Sequence, residues 1–379
     1  MTGTGRDRYG RRTGAKPRPP KGLTLRRAPF GRGNACSRNN LSSALFSPNL
    51  PSITRSPKEY STMADKFDVA GFNKNFIERA AQKPAIATAV VHPCSRDALL
   101  GAVEAAHENL IEPILVGPES KIKAIADENE IDISAYRIID TPHSHASAAQ
   151  AVALASKGEA EALMKGSLHT DEYMGAVIKK DAGLRTGRRV SHVFAMVDPE
   201  YPKPFFITDA AMNIKPDLAA KVDIAQNAID LMIAISDVEI TPKVAVLSAV
   251  ETVNPAIQST IDAACLSKMA DRGQITNAIV DGPLAFDNAI SLEAAKIKGI
   301  SSVVSGDADI LLTPDLESGN MLAKQLVLLG GATSSGIILG ARIPIILTSR
   351  ADGAQARIGS CAIAALMADA RRNGRFPAL

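Results

Sequence analysis

Ile343-Pro344-Ile345-Ile346-Leu347-Thr348-Ser349-Arg350-Ala351-Asp352-Gly353 sets the reading of the whole chain. A short apolar run that stops abruptly at Thr-Ser-Arg-x-Asp-Gly reads as a buried parallel strand opening onto a polar turn, with an amphipathic helix over 354–372 behind it. In open α/β sheets the carboxyl ends of such strands are where ligands bind. The turn gathers two hydroxyls, the Arg350 fork and the Asp352 carboxylate, groups suited to holding an oxyanion and moving one proton beside it. The same residues also make ordinary helix caps and a surface ion pair.

Outward from this stretch, strand-like runs and helix-like periods alternate. The spacing predicts helices over 67–82, 95–109, 118–129, 144–157 and 170–180, with strands over 86–91, 113–116, 136–139 and 162–164 between them. Two extended runs, 189–197 and 205–208, flank a proline-rich segment at 199–204 and read as an antiparallel pair at a domain crossover. The alternation resumes with helices over 217–235, 255–270 and 317–329 and strands over 244–248, 275–280, 310–312 and 336–339. Strands separated by helices of this length mean βαβ units and parallel pairing. The expected class is α/β: two α/β domains with mostly parallel sheets and an interdomain active-site cleft, 63–200 plus 340–379 forming one domain and 201–339 the other.

At 379 residues the chain can build two cores. Residues 1–62 hold 13 Lys and Arg against only Asp7 and Glu59 and show no apolar period, so a disordered basic extension, or a working start at Met63, is expected there. An organellar targeting helix in that segment would be interrupted by Pro17, Pro19 and Pro20. The remainder is net acidic, aromatics are 4% and Trp is absent, which excludes a basic stripe or stacking platform for nucleic acid. Cys36, Cys94, Cys265 and Cys361 lack metal or disulfide spacing, which points to a reducing, cytoplasmic setting. No apolar run reaches the roughly 18 residues of a membrane helix.

Three further segments carry candidate chemistry. Lys165-Gly166-Ser167-Leu168-His169-Thr170 joins a short strand to a helix; glycine, a helix N-terminus and the donors of Lys165, His169 and Thr170 suit an anion, as they suit a plain strand–turn–helix joint. Arg185-Thr186-Gly187-Arg188-Arg189-Val190-Ser191-His192 enters a strand whose alternation sends Arg189 and Ser191 to one face and His192 to the other, so one face can reach a phosphate. Asp281, Asp287, Asp307, Asp309, Asp315 and Asn320 cluster near strand ends; turn and cap chemistry explains them better than a metal does, and no metal site is expected. The six histidines show no triad or His-x-x-x-His spacing.

Taken in order, Lys165-Gly166 with His169-Thr170, Arg189-Val190-Ser191, Asp281-Gly282-Pro283-Leu284 with Phe286-Asp287, Gly306-Asp307-Ala308-Asp309, Pro314-Asp315-Leu316 with Ser318-Gly319-Asn320 and Lys324, and Ser349-Arg350 resemble the phosphate acetyltransferase and phosphate butyryltransferase family over about residues 67–375. The resemblance implies reversible transfer of an acetyl or short acyl group between coenzyme A and inorganic phosphate, with the thioester as substrate, no cofactor and no required metal, in a homodimer. By position, Ser349 and Arg350 match the family's catalytic pair and Arg189 an arginine of its substrate site, with Lys165, His169, Thr170, Ser191 and Asn320 as further substrate contacts. The acetyltransferases of the family place an aspartate seven residues after the serine, where this chain has Ala356; Asp352 fits the butyryltransferase-like Thr-Ser-Arg-Ala-Asp form. Phosphate butyryltransferase is the first alternative. A metal- and NAD-dependent hydroxy-acid dehydrogenase, an acyl-phosphate synthase of phospholipid formation, and a coenzyme A-binding regulator are more remote ones.

Overall fold

Apolar runs buried along their whole length become interior strands, and the segments between them close into helices. The computed structural model describes residues 68–347 and 353–376. The order is α1 (Val69–Ala81), β1 (Ile86–Val91), α2 (Arg96–His107), β2 (Ile111–Gly117), α3 (Glu119–Glu128), β3 (Arg137–Asp140), α4 (Ser144–Ser156), β4 (Ala162–Lys165) and α5 (Thr170–Val177). Next come β5 (Ser191–Val197), β6 (Phe205–Thr208), α6 (Leu218–Ile235), β7 (Lys243–Leu247), α7 (Gln258–Asp271), β8 (Ile279–Leu284), α8 (Phe286–Ile290) and α9 (Leu292–Ile297). The chain closes with β9 (Ile310–Leu312), α10 (Leu316–Leu329), β10 (Thr333–Leu339), β11 (Ile345–Ile346) and α11 (Ala354–Arg372). The expectations for residues 1–62 and for the Thr348–Asp352 turn lie outside the described residues.

The strands form one sheet of 11, ordered β3-β2-β1-β4-β11-β10-β5-β6-β9-β7-β8. Links from β3 to β11 are parallel, those joining β11, β10, β5 and β6 are antiparallel, and those from β6 to β8 are parallel again. Two parallel blocks are thus joined edge to edge by antiparallel strands, which is the mixed, mostly parallel α/β class the alternation implies. The expected pairing of the two runs around the proline-rich segment is present, with Val193 opposite Thr208.

Some elements differ from their sequence signature. The strand expected over 275–280 starts only at Ile279, because the Thr276 N–H donates to Gln226 Oε1 of α6 at 2.9 Å and so is taken from the ladder. Just after β8 the chain forms α8, and the Ser291 hydroxyl accepts from Ala294 N at 3.2 Å to start α9. Helix α11 is not amphipathic in place: every residue from Ser360 to Ala370 is buried, because it is packed among α1, α2, α6 and β10. Its alanine-rich face permits that closeness, and bulkier residues would force the neighbours apart.

Candidate active site

One row of paired residues crosses the middle of the sheet: Met164, Ile346, Ile337, Val193 and Thr208. One face of the sheet is covered by a single core drawn from α1, α2, α6, α7 and α11. The other carries two separate cores, one under α4 and α5 and one under α8 and α10. Alternation places Lys165, His192 and Gly336 on this second face, on the strands between or beside those two cores, and Asp209 follows β6 directly.

Lys165 ends β4 and is buried, with Nζ 3.4 Å from the Gly166 carbonyl. Gly166 is required by its neighbour strand, since a Cβ there would sit 2.3 Å from the Val91 carbonyl oxygen. The Gly166 and Ser167 N–H groups donate to Val91 O and His92 O at 2.9 and 2.8 Å, so this turn spends its backbone donors on β1 and not on a ligand. His169 precedes α5 without a capping bond, and Thr170 opens a first turn that already holds Asp171 and Glu172. An anion at that helix end would meet two carboxylates, which offset the favourable dipole.

Arg189 and Asn320 join a different network. Arg189 Nε donates to Asn213 Oδ1 at 2.6 Å, and Asn213 Nδ2 donates to Asp209 Oδ2 at 2.5 Å and to Val190 O at 2.9 Å. The buried Asp209 carboxylate also accepts from Ala211 N and Met212 N at 2.9 and 3.0 Å, which fixes the loop after β6. Asn320 Nδ2 donates to Ala210 O of that loop at 3.1 Å. Ser191 points elsewhere: it is fully buried and accepts from Asn227 Nδ2 of α6 at 2.9 Å, so its hydroxyl docks β5 on α6. Arg188 pairs with the buried Asp230, leaving Arg189 as the exposed guanidinium of that pair. The acidic cluster is likewise engaged: Lys203 pairs with Asp307 and Asp309, both at 2.6 Å, and Asp315 caps α10 through Ser318 N at 2.9 Å. Among the described residues no group of three or more His, Cys, Asp and Glu is placed to hold a metal ion.

Sequence reasoning passed over His192. It is buried, its ring meets Phe194 edge-on at 4.4 Å, and its Nδ1 has no hydrogen-bond partner among the described residues. Burial lowers its pKa from 6.5 to about 4 against the opposing pull of the nearby Asp209 charge, so the ring is neutral at pH 7. The folded state therefore binds the proton less well than the unfolded chain; this contribution to stability is complete above pH 6.5 and is lost as pH falls from 6.5 towards 4, on the order of 3 kcal/mol at the limit. A His192→Gln variant should show a flatter decline of its urea midpoint between pH 6.5 and 4 than the parent; equal slopes would contradict it.

Gly336 explains how close this ring comes to the central strand. A Cβ there would lie 2.8 Å from the Leu347 carbonyl oxygen and 3.0 Å from His192 Nε2, so glycine alone lets β10 slot between them. Leu347 is the last described residue before Thr348. Gly336→Ala should destabilise by about 1–3 kcal/mol through overpacking and lower turnover with it, read by thermal melting and initial rates. Gly175→Ala, with nothing within 4 Å of its would-be Cβ, is the neutral control.

Ser349, Arg350 and Asp352 lie outside the described residues. The chain resumes at Gly353, which precedes α11 with no side-chain capping bond, and the first turn of α11 holds no acidic residue. In contrast to α5, no acidic side chain of its own first turn offsets the positive end of this 19-residue dipole, which follows Ser349-Arg350-Ala351-Asp352 in sequence.

Comparison with known proteins agrees with this geometry. A family profile described as Phosphate acetyl/butaryl transferase matches residues 143–365. A phosphate acetyltransferase of Rickettsia felis is 58% identical over 86% of this chain and 92% of its own length. One from Rhizobium meliloti is 58% identical over 79% and 94%, and a phosphate butyryltransferase of Clostridium acetobutylicum is 42% identical over 76% and 93%. Among solved structures, a branched-chain phosphotransacylase from Enterococcus faecalis superposes with a TM-score of 0.66 at 30% identity, covering 75% of this chain and 99% of that one. With the fold, the order of its motifs and these relatives in agreement, the chain belongs to the phosphate acetyl/butaryl transferase family.

Proposed function

We propose that the protein is an acyltransferase that moves an acetyl group reversibly between coenzyme A and inorganic phosphate, giving acetyl phosphate. The observation that carries this is the 58% identity to phosphate acetyltransferases, in a chain where Ser349-Arg350 shortly precedes α11, whose own first turn holds no acidic residue. A hydrogen phosphate oxygen attacks the thioester carbonyl, the C–O bond forms, the C–S bond breaks, and the departing thiolate takes up the proton that the phosphate gives up, leaving as the thiol. Such a step needs cations for the attacking dianion and donors for the tetrahedral oxyanion. Arg350 and the exposed Arg189 hold phosphate, the first with the dipole of α11 behind it and the second steadied at Nε by Asn213. Ser349 donates to the oxyanion or the leaving sulfur, and Asp352 takes the thiol proton in the reverse direction. Lys165, His169, Thr170 and Asn320 serve as contacts to the larger substrate; Ser191 acts behind them by docking β5.

The reading further divides the chain into lobes of 63–200 with 340–379 and of 201–339, and places it as a cytoplasmic homodimer. In support of the compartment, Cys94, Cys265 and Cys361 carry free thiols, that of Cys361 pushed by burial to about 12. Among the described residues no helix is long and apolar enough to cross a membrane. The deciding assay is phosphate-dependent thiol release from acetyl-coenzyme A with acetyl phosphate formed in equal amount and unaffected by chelator. Thiol release that ignores phosphate, or none at all, would remove the reading.

A further inference from the structure

Four of the six histidines follow the carboxyl ends of β1, β3 and β4: His92 after β1, His143 and His145 at the start of α4, and His169 before α5. Strand β1 lies between β2 and β4, with α2 on one face and α4 on the other, so His92 stands where the winding of this half of the sheet reverses. Its backbone is held from both sides: its N–H donates to Val116 O at 2.7 Å, and its carbonyl accepts from Ser167 N at 2.8 Å. Val91 pairs with Lys165 and Met164 with Ile346. The end of β1 therefore lies two strands, about 10 Å, from the end of β11 that leads into Ser349-Arg350.

The half-buried His92 ring is fixed by two buried hydroxyls. Nδ1 lies 3.2 Å from Ser147 Oγ, which in turn lies 2.8 Å from Thr141 Oγ1 and donates to His143 O at 3.0 Å. Ser147 has a single hydroxyl proton and a carbonyl can only accept. All three bonds are made at once only when Thr141 and the His92 Nδ1–H both donate to Ser147. Nε2 then keeps its lone pair, and it bonds to none of the described residues. Burial, the Lys121 ammonium of α3 and His143 hold the ring below its usual pKa of 6.5 against the pull of Glu172 on α5, so it is neutral at pH 7.

The ring thus offers an acceptor, and the Glu172 carboxylate is a second one close by. Phosphate groups bring only acceptor oxygens and are mismatched here, whereas N–H donors are matched. In a coenzyme A thioester the N–H donors nearest the sulfur are the amides of the pantetheine arm. We propose that His92 binds this arm, its Nε2 accepting a hydrogen bond from an amide N–H. The inference rests on the acyl-transfer reading and adds to it a residue that recognises the carrier and not the acyl group.

The test compares the full chain with its His92→Asn variant. Asparagine tolerates the φ of +54° at this position, and its Nδ2 can replace Nδ1 as donor to Ser147, but it places nothing where Nε2 stands. The KM for acetyl-coenzyme A should rise about three- to tenfold, the worth of one neutral hydrogen bond, with kcat and the KM for phosphate unchanged. N-ethylpantothenamide, which has the amide arm but neither sulfur nor phosphate, should compete with acetyl-coenzyme A, and its Ki should rise by the same factor in His92→Asn. In the parent that Ki should also rise as pH falls below 6.5, because an imidazolium has no acceptor; the variant should show no such rise. An unchanged KM or Ki in folded His92→Asn, an effect confined to kcat, or no inhibition of the parent overturns the contact while leaving acetyl transfer standing. A rise in the KM for acetyl-coenzyme A without one in the Ki would put His92 on the phosphates and overturn it too. Absence of acyl phosphate from the parent sinks the transferase reading itself and this assignment with it.

Discussion

Arg350→Ala is expected to lower kcat/KM by about 10²–10³, the usual consequence of deleting one preorganised group that stabilises transition-state charge. The reacting phosphate is a dianion that must be held close to a thioester carbonyl, and positioning supplies much of the rate. The loss should appear in kcat and in the KM for phosphate, with little change in the KM for the thioester. Arg350→Lys should recover only part of it, since an ammonium keeps the charge but not the two-pronged geometry. Both variants are to be assayed by thiol release across a phosphate titration. Wild-type rates for Arg350→Ala would remove the central assignment, whatever the family of the chain.

The largest expected loss of stability is at an ion pair between α6 and α7. Lys221 on α6 and Asp262 on α7 are 5% and 6% exposed, and Lys221 Nζ donates to Asp262 Oδ2 at 2.6 Å. Gln258 Nε2 completes the site by donating to Asp262 Oδ1 at 2.8 Å. Asp262→Ala leaves an ammonium in the helix interface without its counter-ion and should cost about 3–5 kcal/mol, read as a shift of the urea midpoint. Lys221→Met together with Asp262→Leu should recover most of that loss, because two packed apolar chains replace two desolvated charges. If the double variant is as unstable as the single one, the pair matters through shape and not charge.

Much of the architecture was legible in the chain. Runs such as Ile86–Val91 and Phe205–Thr208 are apolar on both faces apart from Thr88 and Thr208, which a strand covered on both faces requires. The bounds of α11 could be read from Gly353 ahead and Asn373 behind. Its burial could not, because a polar or charged residue at helical spacing signals a wet face only if no neighbouring helix claims it. The same limit explains β8: nothing local reveals that Gln226 would take the Thr276 N–H.

The site divides along similar lines. Lys165, Arg189, Asn320 and the Ser-Arg turn stand out because cations and hydroxyls at strand ends are unusual in local terms. His192 does not, being one residue in an apolar strand whose significance comes from burial, from Asp209 in the loop after β6, and from a glycine on β10.

By itself, then, the order of residues determined the alternation of strands and helices and the family, and it singled out Ser349-Arg350 as the proposed reactive pair, since each depends on period, spacing or a contiguous motif. Only the tertiary structure decided that two parallel blocks share one sheet through β10 and β5, that Ser191 serves α6 and Gly166 serves β1, and that an apolar cavity adjoins the start of α11. Hydrogen bonds and voids between residues distant in sequence are set by packing, and no local pattern encodes them.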